Sequence, residues 1–78
     1  MNWRNYIVVD PAILVGKPIV KDTRLSVDFL LRLLAQGWRE QDLLESYPQL
    51  SPASLQAVFA FVQECLEDEA YIMLEKVA

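Results

Sequence analysis

The sequence predicts a mainly α-helical protein, in which a short N-terminal β-hairpin precedes a three-helix, helix-turn-helix-like bundle with a long C-terminal helix. Aromatic and β-branched residues form two short runs before residue 22, and apolar residues recur at helical spacing after residue 26. Neither glycine nor proline follows Pro52. We therefore expect one domain over residues 1–78, with a hairpin arm at 1–25 and a helical part at 26–78.

The hairpin is predicted from residues 6–9 and 19–21, which are rich in β-branched side chains. The first run ends at Asp10-Pro11, a turn signal. A two-stranded sheet is marginally stable alone, so helices or another subunit should pack against it.

The first two helices are predicted from their termini. Ser26 is a good N-cap for a helix to about residue 36, where Gly37 provides a C-terminal stop. A second helix over residues 40–47 has Glu40 and Asp42 at its positive end, and Pro48 ends it. The apolar positions of the first helix recur at helical spacing: Val27, Leu30, Leu31 and Leu34.

Ser51 is the predicted N-cap of the third helix, with Pro52 at the first helical position, and the helix either runs almost to the C-terminus or breaks near Glu67. Its main apolar stripe comprises Leu55, Phe59, Val62, Leu66, Met73 and Val77. A second apolar row comprises Ala57, Phe61 and Cys65. Core packing or a second protein chain could cover this row, and we favour the core. We accordingly expect Cys65 to be a buried structural thiol.

Composition indicates a small protein that needs a partner. A chain of 78 residues buries only about 60% of its unfolded surface, and its apolar fraction of 54% is high. These features favour a homodimer or a heteromeric complex. No apolar run approaches the roughly 20 residues of a membrane span, and the N-terminus does not resemble a secretory signal. We expect a cytoplasmic protein without membrane association.

Charge is distributed unevenly along the chain. Residues 1–39 carry six Lys and Arg against three Asp, whereas residues 40–78 carry eight acids against one lysine. The net charge of -4 makes the whole chain a poor nonspecific ligand for nucleic acid, so only the basic front half could attract it.

The sequence lacks the residues and motifs that are most common in catalytic sites. The chain has no histidine, a single cysteine and no glycine-rich phosphate loop, so we expect neither an enzyme nor a cofactor. An acidic cluster in the third helix could serve general acid-base chemistry or bind magnesium, but a solvated helix face explains it better. The cluster comprises Glu64, Glu67, Asp68 and Glu69.

Residues 16–27, with the sequence GKPIVKDTRLSV, form the best candidate for a functional segment. Gly16 permits a positive φ, and Lys17, Lys21 and Arg24 place cations close together, which suggests an anionic partner. From the residues alone, a solvated turn and edge strand is an equally good explanation.

This segment and the residues after it resemble the bacterial and archaeal family called domain of unknown function 433. The resemblance covers roughly residues 7–61 and includes Gly-Trp at 37–38, Leu-Leu-Glu at 43–45 and Tyr-Pro-Gln-Leu-Ser at 47–51. Three positions depart from the family pattern. Asp22 replaces a glycine, although aspartate tolerates left-handed geometry; Arg39 replaces a Ser-type cap; and Ser54 replaces an acidic capping residue.

The resemblance implies an antitoxin-like protein of a type II toxin-antitoxin pair, which binds a PIN-like nuclease toxin. Many members resemble antitoxins that also repress their own operons, so operator DNA is a further candidate partner. Arg24 would then pair with an acidic nuclease site, or simply with the nearby Asp22 or Asp28. Operator binding is harder to explain, because no Lys or Arg lies between Glu40 and Glu75. A homodimeric protein-interaction module without DNA binding is the alternative. The candidate DNA- or partner-binding residues are Lys17, Lys21, Thr23, Arg24, Arg32 and Arg39.

Overall fold

The computed structural model describes residues 1–12 and 16–77, with side chains as far as residue 67. A short hairpin of β1 (Ile7–Val8) and β2 (Ile19–Val20) precedes three helices, which confirms the predicted fold class. The helices are α1 (Val27–Ala35), α2 (Glu40–Ser46) and α3 (Pro52–Val77). A 3-10 turn at Trp3–Asn5, which was not predicted from the sequence, comes before β1.

The hairpin is antiparallel, with Ile7 opposite Val20 and Val8 opposite Ile19. Ile19 also forms an isolated bridge with Ser26, and the Val27 amide donates to the Pro18 carbonyl at 2.9 Å. The chain entering α1 therefore continues the hydrogen bonding on the far side of β2. Both strands are shorter than predicted; β2 ends at Val20 because residues 20–23 form a turn.

Helix α1 has defined caps at both ends. The Ser26 hydroxyl accepts a hydrogen bond from the Phe29 amide at 2.9 Å, as predicted. At the C-terminus, Gly37 has φ of +102°, and the amides of Gly37 and Trp38 donate to the Leu34 and Leu33 carbonyls. This pattern is a Schellman motif, in which a left-handed residue ends the helix and turns the chain toward α2.

Helix α3 begins where the sequence predicts. The Ser51 hydroxyl accepts a hydrogen bond from the Ser54 amide at 3.1 Å and lies 3.0 Å from the Ser54 hydroxyl. Ser54 thus contributes to the cap although it is not acidic. The helix continues to Val77, so the alternative of a break near Glu67 is wrong.

The core lies where β1, β2 and the three helices meet. Its buried apolar residues are Ile7, Val20, Val27, Leu30, Leu43, Leu50, Leu55, Ala57 and Val58. Burial along α3 ends early: Phe61 and Val62 are only half-buried, and every residue from 63 to 67 is exposed. The core is too small to cover more than the first part of this 26-residue helix.

One prediction about α3 is therefore wrong, and another holds for part of the helix. Cys65 is exposed rather than buried, because it follows the last residues of α3 that pack on the domain. The second apolar row packs in the core through Ala57 and Phe61, as we favoured, and Cys65 lies beyond it. In the main stripe, Phe59 and Leu66 are 41% and 57% exposed. The side chains of Met73 and Val77 lie outside the described residues.

Candidate basic-turn site

The basic segment forms a tight turn after β2. The Thr23 amide donates to the Val20 carbonyl at 3.1 Å, so Lys21 and Asp22 occupy the two central positions. Asp22 has φ of +64°, and Lys21 is not among the residues with positive φ, a combination typical of a type II turn. The expectation that Asp22 preserves a turn normally made by glycine is thus confirmed.

The Thr23 side chain fastens this turn from inside. Its hydroxyl donates to the Val20 carbonyl at 2.8 Å and accepts from the Leu25 amide at 3.0 Å. The Leu25 carbonyl in turn accepts from the Val20 amide at 2.9 Å. Because its donor and one acceptor direction are used within the turn, the Thr23 hydroxyl stabilises the turn.

Lys21 and Arg24 flank the fastened turn and are both exposed. Among the side chains that the structure describes, neither forms an ion pair. In particular, Arg24 does not pair with Asp22 or Asp28 here. The fold therefore presents a lysine and an arginine to solvent on a turn with a defined backbone, which we call the basic turn (residues 20–25).

Lys17 and Arg32 lie around a shared carboxylate instead. The Asp28 carboxylate is 3.0 Å from the Arg32 guanidinium and 3.8 Å from the Lys17 ammonium. All three side chains are more than half exposed, so these pairs contribute little to stability. They do neutralise part of the local positive charge, which leaves one net cation beside the N-terminus of α1.

Arg39 is separated from the other candidate residues. It precedes α2, at the far end of α1, and its guanidinium lies 3.4 Å from the Asp42 carboxylate. The Asp42 carboxylate also accepts a hydrogen bond from the Arg39 backbone amide at 2.8 Å, and this bond forms half of a capping box. This backbone hydrogen bond, with the Arg39 side chain, lowers the pKa of the Asp42 carboxyl below its usual value of 3.8. Arg39 thus helps to begin α2.

A contact cluster at the N-terminus was not anticipated from the sequence. The Trp3 ring packs edge-on against Phe61 with a centroid distance of 4.9 Å, and the Arg4 guanidinium lies 4.3 Å above the Trp3 ring. The Trp3 indole N–H donates to the Glu64 carboxylate, which also pairs with Arg4. The sequence signal that could have indicated this contact is Trp3, an aromatic residue in a polar N-terminal segment. These contacts dock the 3-10 turn on α3.

Helix α2 presents acids to solvent. Glu40 and Glu45 are exposed on this short helix, and Arg39, which precedes it, is paired with Asp42. In a helix-turn-helix protein the second helix of the motif enters the major groove, and an acidic surface there is repelled by phosphate. The geometry does not favour α2 as a recognition helix.

Other chemistry is sparse in the described part of the chain. No group of three or more His, Cys, Asp or Glu side chains within it could hold a metal ion. No helix found within that part has the length and apolar character needed to cross a membrane. An apolar groove of about 240 Å³ runs between α1 and α3.

The sequence and the structure were compared with those of known proteins and protein families. A family model described as "Protein of unknown function (DUF433)" matches residues 7–62. A crystal structure of a DUF433 member protein from Anabaena variabilis ATCC 29413 is similar, with 28% identity and a TM-score of 0.77. The similarity covers 83% of this chain and 64% of that one. A search of curated proteins gave no match. Since the family model spans most of the sequence, the chain belongs to the DUF433 family.

Proposed function

We propose that this protein is a non-catalytic, cytoplasmic, antitoxin-like protein that binds a PIN-like nuclease toxin through the basic turn. The observation that carries the proposal is the pair Lys21 and Arg24, which are exposed on a turn fastened by Thr23 and have no ion-pair partner among the described side chains. The family resemblance supplies the class of partner.

The chemistry of the two surfaces supports this pairing. A PIN-like nuclease site is built from carboxylates that hold metal ions, so it is strongly anionic when no metal is bound. An arginine guanidinium can donate two parallel hydrogen bonds to a carboxylate, and a lysine adds a compact second charge. Because the Thr23 hydrogen bonds already order the turn, less conformational entropy is lost when it binds.

The test is a binding titration against the purified product of the neighbouring gene. An Arg24→Ala substitution should raise the Kd by about 10- to 100-fold, because a hydrogen-bonded charge at an interface contributes roughly 1.5–3 kcal/mol. Arg39→Ala is the matched control, since it also removes one guanidinium but from a residue already paired with Asp42. Equal affinities for the two variants would contradict the proposal.

Operator DNA is the second candidate ligand, because its phosphates could form ion pairs with the same cationic side chains. The acidic α2 argues against groove recognition, so Lys17, Lys21 and Arg24 would supply most of the attraction, doubled in a homodimer. Replacing all three with alanine should then weaken binding to the upstream DNA and reduce its salt dependence by several charges per dimer. An unchanged salt slope would exclude DNA binding through these residues.

A further inference from the structure

We propose that the apolar groove between α1 and α3 is the homodimer interface and that the projecting end of α3 from a second copy occupies it. The groove is lined by Pro18, Val27, Leu31, Phe61, Val62, Cys65 and Leu66, with Asp28 at its edge. This inference concerns self-association and does not depend on the proposed nuclease or DNA partner.

The first supporting observation is the exposure of α3 beyond Val62. Residues 63–67 are all exposed, which is more than one full helical turn. Glu64 contacts Trp3 and Arg4 at the side of the helix, whereas Cys65 and Leu66 line the open groove and remain exposed. The helix nevertheless continues to Val77, about 15 Å beyond Glu67. An isolated helical end of this length is marginal in water, and packing on another surface would stabilise it.

The second observation is charge complementarity. Lys17 and Arg32 share the single carboxylate of Asp28 beside the groove, which leaves this edge with one net positive charge. Residues 64–75 of α3 contain five acids and neither lysine nor arginine. A second copy of this helix therefore suits both the apolar floor and the basic edge.

The same segment supplies apolar side chains that could enter the groove. Residues 68–77 have the sequence DEAYIMLEKV, in which tyrosine, isoleucine, methionine, leucine and valine accompany the acids. Exchange of these helical ends between two copies would be isologous, because each groove receives the same segment of the other chain. Both grooves would then be covered, as would Leu66 and Cys65.

Sedimentation analysis of the full-length Leu66→Glu variant tests the proposal. Leu66 is 57% exposed within one chain, so the substitution should leave the fold intact, which circular dichroism checks. We expect dimerisation to weaken on the order of 100-fold or more, because the charge interrupts an apolar contact that occurs twice in the dimer. Phe59→Glu is the matched control, since Phe59 is an exposed apolar residue of α3 outside the groove.

Cys65 gives a second readout in the unmodified protein. Its thiol is exposed in the single chain but would be covered in the proposed dimer. Alkylation should therefore be slow at concentrations where the dimer forms and should accelerate on dilution. Leu66→Glu should make the alkylation fast at all concentrations. A wild-type protein that stays monomeric at high concentration would overturn the proposal. A dimer weakened equally by Phe59→Glu and Leu66→Glu, or a Cys65 rate independent of concentration, would also overturn it.

Discussion

Replacing Thr23 with valine removes the hydroxyl that fastens the basic turn while preserving the branched shape of the side chain. Two hydrogen bonds are lost, at 2.8 Å to the Val20 carbonyl and at 3.0 Å from the Leu25 amide. The Val20 carbonyl keeps the Thr23 amide as a donor, but the Leu25 amide loses the acceptor seen here. Each bond contributes about 0.5–1.5 kcal/mol, and Thr23 is half-buried, so we expect a cost of roughly 1–2 kcal/mol.

Urea and thermal unfolding measure this cost. For a domain of this size, Tm should fall by about 4–8 °C per kcal/mol. The Thr23→Ser control retains the hydroxyl and should unfold much closer to wild type. Hydrogen exchange at the Leu25 amide should accelerate in Thr23→Val and not in Thr23→Ser. If both variants unfold alike and exchange alike, the hydroxyl does not hold the turn and our explanation of its rigidity is wrong.

Two further predictions concern the helix termini. Gly37→Ala should destabilise the protein by about 1 kcal/mol or more, because the backbone φ at this position is +102°. No neighbouring atom lies within 4 Å of the added methyl group, so the substitution measures backbone strain alone. A Tm equal to that of Gln36→Ala would contradict this. Asp42→Asn should be less stable than wild type at neutral pH. Because the pKa of the Asp42 carboxyl is lowered in the folded state, its contribution to stability is complete above the unfolded pKa of about 3.8 and is lost as the pH falls through the lower folded pKa. The unfolding free energies of the two proteins should therefore converge in acid, and a difference independent of pH would contradict this.

The fold was largely predictable because its signals are local. Ser26 and Ser51 cap the helices that they were expected to cap, and Gly37 ends α1 through a Schellman motif. The extent of burial was less predictable. Helical periodicity places Cys65 and Leu66 on an apolar face, but only the size of the core decides whether that face is covered, and here the core ends near Val62.

The site was predictable by composition rather than by geometry. Clustered cations marked residues 17–24, yet the sequence could not show that Asp28 pairs with Lys17 and Arg32 while Lys21 and Arg24 form no ion pair with the described side chains. Ion pairing depends on side-chain directions set by the turn and by α1. Contacts distant in sequence, such as Trp3 on Phe61, were missed for the same reason.

The most direct test of the antitoxin-like role is inhibition of the neighbouring gene's purified nuclease by increasing amounts of this protein. We expect wild-type protein to abolish cleavage of nucleic acid by the nuclease near a fixed molar ratio, and the Lys21→Ala/Arg24→Ala double variant to need a much higher concentration. Arg39→Ala should inhibit like wild type. Full inhibition by the double variant would contradict a role for the basic turn, and unimpaired cleavage with saturating wild-type protein would contradict the antitoxin-like function itself.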